Sequence, residues 1–287
     1  MSDERSVPVQ RRCRLRAVER LGAYTLLRVE APDVAGRAKA GQFVAVAVGG
    51  HASSLLLRRA FALYRWDATD IALVVDAHGP GTRWLTTQPA GTEVDVVGPL
   101  GRPFPDPVDD GPVVVVGGGY GAAALVGMVA RLRVDGRPVT AVLGAAHAAR
   151  LVAVSELEGL GAEVLVATDD GSAGTQGLVT DLLAGSASAV MAEAAAVYAC
   201  GPMPMLAATA AAAERVGVDC WCSVEESMAC GIGVCMTCVL PVVGSDGATR
   251  MLRSCVAGPT FDGRTVRWGD VGTIPDDCVG APTSGGH

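Results

Sequence analysis

Apolar and polar positions follow two different patterns along the chain. From Arg11 to about Asp106 they come in short segments such as AYTLLRVEAP, GQFVAVAV, IALVVDAHG and TEVDVVGPLG, rich in β-branched residues and punctuated by Gly and Pro. Such segments read as strands, and close spacing between turn residues makes them antiparallel neighbours. The basic run RRCRLR fits the same scheme, because Arg12, Arg14 and Arg16 alternate with Cys13, Leu15 and Ala17 as in a half-buried strand. A small antiparallel β-barrel is the economical fold for this part. After the Pro- and Asp-rich join PFPDPVDDGP the pattern changes to VVVVGGG, ALVGMVARLRVDG, PVTAVLGAA, LVAVSELEGLG, AEVLVATDDG, a helix near LVTDLLAG, AVYACGP and an Ala-rich helix. Strands alternating with helices predict a doubly wound parallel sheet with crossover helices. The expected organisation is multidomain, β plus α/β: a barrel over 1–108, an α/β domain over 109–218 and a small Cys-rich domain over 219–287. The last ends in the Gly-rich TSGGH, a tail expected to be mobile.

Half of the 287 residues are apolar, enough for two cores. A net charge of −7 argues against a nucleic-acid partner, which needs a basic surface. The first ten residues carry Asp3 and Glu4 and no apolar stretch of the kind a targeting peptide needs. The uncharged run from Pro112 to Ala130 is broken by GGGYG, so it reads as strand, turn and helix rather than a membrane span. A cytoplasmic protein with no membrane segment is expected.

Chemistry enters with the nine cysteines. Cys230, Cys235 and Cys238 stand at C-x4-C-x2-C spacing, and Cys255 follows downstream. This is the plant-type ferredoxin arrangement, in which four thiolates hold a 2Fe-2S cluster. Ala229, Gly231, Gly233 and Thr237 are small enough for a loop that wraps such a cluster closely. Structural zinc is the alternative, although its sites usually pair two C-x2-C hooks. Two disulfides are a further option, against which stand the odd number of cysteines and the lack of a secretory signal. Cys13, Cys220, Cys222 and Cys278 read as buried thiols. His51, His78, His147 and His287 are scattered, with no pair at ligand spacing.

Three loops fall at the predicted carboxyl edge of the parallel sheet. GGGYGAAAL offers Gly117, Gly118, Gly119 and Gly121 where a strand turns into a helix, so a cofactor phosphate could approach the backbone. Glycine turns at such junctions also serve simply as packing devices. CGPMPML places Cys200, Gly201, Pro202 and Met203 at a second strand end. TDDGSAGTQG supplies Asp169, Asp170 and Ser172, as ribose contacts or as caps of a helix-entry turn.

Barrel, GGGxG and CGPxPML in this order resemble the ferredoxin-NADP reductase superfamily. The continuation SVEESMACGIGVCMTC, with Cys255 followed by AGPTFDG, resembles the electron-transfer subunits of type B dihydroorotate dehydrogenase, and the resemblance covers roughly Arg14 to Trp268. It implies FAD in the barrel, NAD at the second domain and a 2Fe-2S cluster on Cys230, Cys235, Cys238 and Cys255. It also implies a separate FMN-containing catalytic subunit that oxidises dihydroorotate in pyrimidine biosynthesis, joined to this chain in a heterotetramer. The family's flavin motif R-P-x-S falls on Arg59, Ala60, Phe61 and Ala62, with Arg59 suited to the pyrophosphate. Ala60 replaces the proline, and Ala62 replaces the serine whose hydroxyl would bond the flavin. HGPGTRWL resembles the G-x-G-T-x-x-L phosphate loop, which puts Gly81 and Thr82 at the pyrophosphate. Val74, Val75 and Asp76 align with the preceding strand contacts, Asp76 standing where a basic residue is usual. Ala124 replaces the proline of GGGxGxxPL. Cys200 falls near the hydride path, with a small packing residue as its other role.

The implied function is conversion between two-electron exchange with NAD and one-electron exchange with the cluster. A related NAD(P)H-dependent flavin and iron-sulfur reductase with a different partner is a second reading. A non-enzymatic zinc-binding adaptor is a third.

Overall fold

The computed structural model describes residues 7–50 and 53–281; His51, His287 and the TSGGH tail lie outside them. The first half is one seven-stranded antiparallel sheet of β1 (Val9–Leu21), β2 (Tyr24–Glu30), β3 (Phe43–Val46), β4 (Arg59–Ala62), β5 (Arg65–Trp66), β6 (Asp70–Val75) and β7 (Glu93–Leu100). Its order is β4-β3-β7-β1-β2-β6-β5. The two edge strands, β4 and β5, are joined only by Leu63 and Tyr64, so the edges lie within about 10 Å of each other along the chain. That short link forces the sheet to curl into the expected barrel. Strand β1 is long enough to pair first with β7 and then with β2, with a register shift between Leu15 and Ala17. Two short helices cover the barrel, α1 (Pro32–Ala35) and α2 (Pro80–Thr86).

The second half carries β8 (Val113–Gly118), β9 (Val139–Ala145), β10 (Glu163–Thr168), β11 (Thr175–Gln176), β12 (Ala196–Cys200) and β13 (Cys220–Ser223). These strands are parallel, in the order β11-β10-β9-β8-β12-β13. Helices α3 (Ala123–Val134), α4 (Val154–Gly159), α5 (Val179–Ala184), α6 (Ser188–Ala192) and α7 (Met203–Arg215) complete the unit. The chain winds outward from β8 to β11 and then returns to β12 on the other side of β8. The strand order therefore reverses between β8 and β12, and the crevice beyond their carboxyl ends is where open α/β sheets bind ligands. Both flagged glycine turns, after β8 and after β12, open there.

The C-terminal segment departs from the expectation of a unit that begins separately at 219. Strand β13 pairs in parallel with β12, and β16 (Thr260–Asp262) pairs antiparallel with β13. The physical reason is the open edge of β12, whose backbone groups need partners and find them in the CWCS stretch. The cysteine loop and the hairpin of β14 (Val239–Val243) and β15 (Thr249–Arg253), with α8 (Ser254–Ala257), are inserted between β13 and β16.

Strand β6 shows why IALVV reads as continuously apolar. Ile71, Leu73 and Val75 fill the barrel core, whereas Ala72 and Val74 join Tyr24 and Leu26 in a second core with β8 and α3. The two halves thus share one apolar interface. Trp66 lies so close to Gly127 of α3 that an added Cβ would stand 2.6 Å from the indole ring. The Tyr198 hydroxyl donates to the Pro105 carbonyl at 2.8 Å, across the domain join. Among the described residues no helix is long and apolar enough to cross a membrane.

Gly127→Ala is expected to destabilise the chain by about 1–3 kcal/mol through overpacking against Trp66. Gly159→Ala, whose added Cβ would meet nothing within 4 Å, should move stability by less than about 1 kcal/mol. Urea midpoints of the two variants check the contrast.

Candidate functional site

A cleft of about 490 Å³ opens where the barrel, the strand-order reversal and the cysteine segment meet. Its barrel wall is built by β4 and β6, its α/β wall by the turns after β8 and β12, and its third wall by residues 223–228. The size is that of a small-molecule site.

On the barrel wall, Arg59, Ala60, Phe61 and Ala62 all line the cleft. Ala62 stands opposite Phe43 and Ala60 opposite Ala45 on the neighbouring strand, a floor of mostly small side chains. The Arg59 guanidinium donates to the Leu57 carbonyl at 2.7 Å and forms no ion pair among the described residues. It lies directly over Gly81, where a Cβ would come within 2.9 Å of Nε, so this cation is available to an anionic group entering between them. Thr82 lines the cleft but holds its own turn: its hydroxyl accepts from the Gly79 N–H at 3.0 Å and donates back to the Gly79 carbonyl. Val74 and Asp76 face the cleft, while strand alternation turns the Val75 side chain into the barrel core. Asp76 pairs with Arg150 at 2.6 Å, and Arg150 in turn lies over the Tyr24 ring. The residue that departs from the family's basic position is thus a clasp between barrel and α/β unit.

The glycines of the α/β wall divide their work. Gly121 lines the cleft and presses on the β12 turn, where a Cβ would fall 2.8 Å from the Cys200 carbonyl oxygen. A Cβ on Gly118 would meet Met205 at 2.6 Å and Pro202 at 2.8 Å, and one on Gly117 would meet Ala122 at 2.7 Å. Gly119 turns with φ +54°. Gly118, Gly121 and Gly201 therefore let the two turns pack backbone to backbone, while Gly117 lets its own turn fold back onto Ala122, which brings Gly121 and the start of α3 to the cleft. Pro202 leads into α7, and Met203 packs on the core of the opposite sheet face. Asp169 lies exposed at the end of β10, outside the cleft lining, and Asp170 caps its own loop by accepting from the Ser172 N–H and hydroxyl at 2.9 and 2.6 Å.

Cys200 is buried at the end of β12, beside Ser223 of β13, and its side chain reaches the cleft. Burial pushes its thiol up to about 11, so it stays protonated at neutral pH and acts as a neutral wall. The ionisable group in the cleft that sequence reading missed is Glu225. It stands exposed at the rim of the cleft, accepts a hydrogen bond from the Tyr120 hydroxyl of the GGGYG turn, and partial desolvation by the cleft walls raises its carboxyl to about 7. Burial also raises Glu226. His78 lines the cleft as well. Glu225, Ser227 and Met228 sit in SVEESM, and their place in the cleft depends on β13 pairing with β12, which no motif announces.

The four motif cysteines come together as two pairs. The Cys230 and Cys235 sulfurs are 3.3 Å apart, with the Cys235 N–H directed at the Cys230 sulfur at 3.4 Å. Cys238 and Cys255 are buried, in mutual side-chain contact, and packed with Phe43, Ala45 and Leu100 of the barrel. Among the described residues no three ligating side chains close around a single point. Hydrogen bonds from Thr237, side chain first and then backbone, lower the Cys235 thiol to about 6, whereas burial raises Cys255 to about 12. Two pairs of thiols suit two irons, each taking two thiolates, better than one tetrahedral zinc.

Comparison with known proteins agrees with this geometry. The iron-sulfur cluster binding domain of dihydroorotate dehydrogenase B matches residues 225–267, a span that contains all four cysteines. The dihydroorotate dehydrogenase B (NAD(+)) electron transfer subunit of Desulforamulus reducens is 34% identical over 84% of this chain and 92% of its own length. That of Shouchella clausii is 39% identical over 77% of this chain and 83% of its own. The chain belongs to the family of dihydroorotate dehydrogenase B electron transfer subunits. A family member from Methanopyrus kandleri, described as probable, is 35% identical over 89% of the chain. Among solved structures, the NADH-dependent reduced ferredoxin-NADP oxidoreductase studied for flavin-based electron bifurcation superposes with a TM-score of 0.77 at 29% identity, covering 90% of this chain and 91% of that one. The ferredoxin reductase of carbazole 1,9a-dioxygenase shares the fold, with a TM-score of 0.64 at 19% identity over 74% of this chain and 67% of that one.

Glu225 supplies a pH test. Because its folded value lies above the ordinary 4.5, the stability associated with its neutral form is complete below pH 4.5 and is lost as pH rises through about 7. Glu225→Gln cannot ionise, so its urea midpoint should match the parent below pH 4.5 and exceed it above pH 7.

Proposed function

We propose that the chain carries electrons between NAD and a partner dehydrogenase subunit, through FAD in the cleft and a 2Fe-2S cluster on Cys230, Cys235, Cys238 and Cys255. The observation that carries this reading is the cleft itself, which joins the Arg59 strand, the strand-order reversal and the segment leading into the cysteine loop. When bound, FAD exchanges two electrons as hydride with nicotinamide and passes them singly to an iron-sulfur centre.

The chain's own groups bind and orient these carriers. Arg59, lying over Gly81, offers a planar pair of donors to the pyrophosphate. Ala60 and Ala62 keep the floor low, and the flavin hydrogen bond expected from a serine is absent from position 62. The turns at Gly119, Gly121 and Cys200 to Pro202 receive the nicotinamide nucleotide, with Cys200 as an uncharged neighbour and Glu225 with Tyr120 at the cleft wall. Asp169 stands at the same sheet edge, where a ribose hydroxyl could be met. Met228 lies both in the cleft lining and against the packed Cys238 and Cys255, so cleft and thiols share one wall. The low pKa of Cys235 supplies a thiolate for iron at neutral pH.

The partner is placed at the thiol loop, where Ile232, Val234 and Met236 are 52%, 79% and 59% exposed. Apolar side chains around a redox centre suit a protein surface that must dock closely. We assign that surface to an FMN-containing catalytic subunit that oxidises dihydroorotate, in a heterotetramer in the cytoplasm. A second reading, a related reductase serving a different partner, draws on Ala62 facing the cleft in place of the motif serine.

Cys235→Ser should abolish electron delivery to the partner while leaving reduction of bound FAD by NADH largely intact. Anaerobic stopped-flow absorbance follows both. Loss of the two together would overturn the separation of cleft and exit, and a purified chain without flavin or iron absorbance would overturn the electron-transfer reading.

A further inference from the structure

Arg253 ends β15, immediately before the Ser254–Cys255 turn, and is half-buried. Its guanidinium donates a hydrogen bond to the carbonyl of Gly233, inside the loop between Cys230 and Cys235. The same glycine directs its N–H at the Cys255 sulfur. Gly233 turns with φ +83°, and a Cβ there would stand 2.4 Å from Val256, so the loop can hold only glycine at this point. Arg253 thereby grips a residue that touches one thiol pair and lies in the loop that closes the other.

The neighbouring arginines are neutralised. Arg250 pairs with Asp246, Arg264 with Asp219 and Asp262, and Arg267 with Asp270 and Asp277. Arg253 has no carboxylate partner among the described residues. Keeping an unpaired guanidinium half-buried costs solvation unless an anion stands nearby. Its contact in the site is the Gly233 carbonyl, which sets the guanidinium beside the loop that carries Cys230 and Cys235, and Cys255 follows it two residues on.

We propose that Arg253 is the cation that sets the reduction potential of the centre held by Cys230, Cys235, Cys238 and Cys255, an inference that rests on reading those cysteines as 2Fe-2S ligands. Four thiolates around such a cluster make a net anion, and one-electron reduction adds one more negative charge with no bond made or broken. A fixed positive charge at the loop stabilises the reduced state more than the oxidised one and so raises the potential. Arg253 acts through the loop and its field, as a positioning residue. Arg253 is itself half-buried, where a charge is screened less than in open water.

The test is an EPR-monitored redox titration of the purified chain with dithionite and mediators, on Arg253→Lys, Arg253→Met and Arg253→Gln. Both neutral variants should hold the cluster and titrate at lower potential, with the reduced-to-oxidised ratio at a fixed potential falling about tenfold, about 59 mV for one electron. Lysine keeps the charge, so Arg253→Lys should titrate close to the parent. Neutral variants at the parental potential would overturn the inference, as would a lysine variant shifted as far as the neutral ones. Failure of both neutral variants to retain a cluster would also overturn it, in favour of a purely structural clamp. A parent chain with no 2Fe-2S signal would instead overturn the cluster reading beneath it.

Discussion

The arrangement depends on the unfilled edge of β12. Once the chain returns across β8, β12 presents a row of backbone donors and acceptors that must be paired, and β13 pairs them from Val197 opposite Cys220 to Cys200 opposite Ser223. That register decides where the following residues go. It sets Ser223 beside Cys200 and lays residues 224–228 along the cleft. It also delivers the cysteine loop onto the outward face of β3, where Phe43 and Ala45 receive Cys238 and Cys255. A one-residue slip would turn Ser223 away from the cleft and Cys220 and Cys222 out of the core they now share with Leu206 and Ala210.

The cleft that results is electrostatically uneven, and each charge has a physical reason for its state. Asp76 is committed to Arg150 and joins the two halves, so it is not free to oppose an incoming phosphate. Arg59 has no carboxylate partner among the described residues and is the group that attracts an incoming phosphate. Glu225 is partly desolvated by the cleft walls, which suppresses its ordinary acidity. Cys200, deeper still, is kept neutral by burial. A pocket with one available cation among the described residues, and with its anions paired or suppressed, suits a dinucleotide whose charge is concentrated at its phosphates.

The two thiol pairs differ for related reasons. Cys235 is at the loop surface, among donors that stabilise its thiolate, while Cys255 lies against the barrel and resists ionisation until something positive binds it. Ligation of a metal centre at Cys255 is therefore coupled to release of its proton. Arg253 and Gly233 connect the two pairs mechanically, and the exposed Ile232, Val234 and Met236 leave the outer side open to a partner.

Period and punctuation in the sequence were enough to separate an antiparallel barrel from a parallel sheet, because residue spacing reports directly which face of a strand or helix is buried. The C-x4-C-x2-C spacing identified the thiols, since ligands on one tight loop are a local property. The glycine turns were legible for the same reason, although the structure shows that Gly118, Gly121 and Gly201 chiefly allow two turns to touch. What sequence could not reach were facts of juxtaposition between distant segments. Val75 and Val74 are adjacent in the chain, yet only the packed barrel shows that one fills its core and the other its outer face. Asp169 carried a plausible loop motif and stands away from the cleft, because its strand lies two places from the strand-order reversal. Glu225 lay in a stretch quoted only for its cysteines, and Arg253 in none. Their roles arise from the pairing of β13 with β12 and from a hairpin that returns to the cysteine loop, and long-range pairing of that kind is decided by the backbone groups each edge leaves unsatisfied.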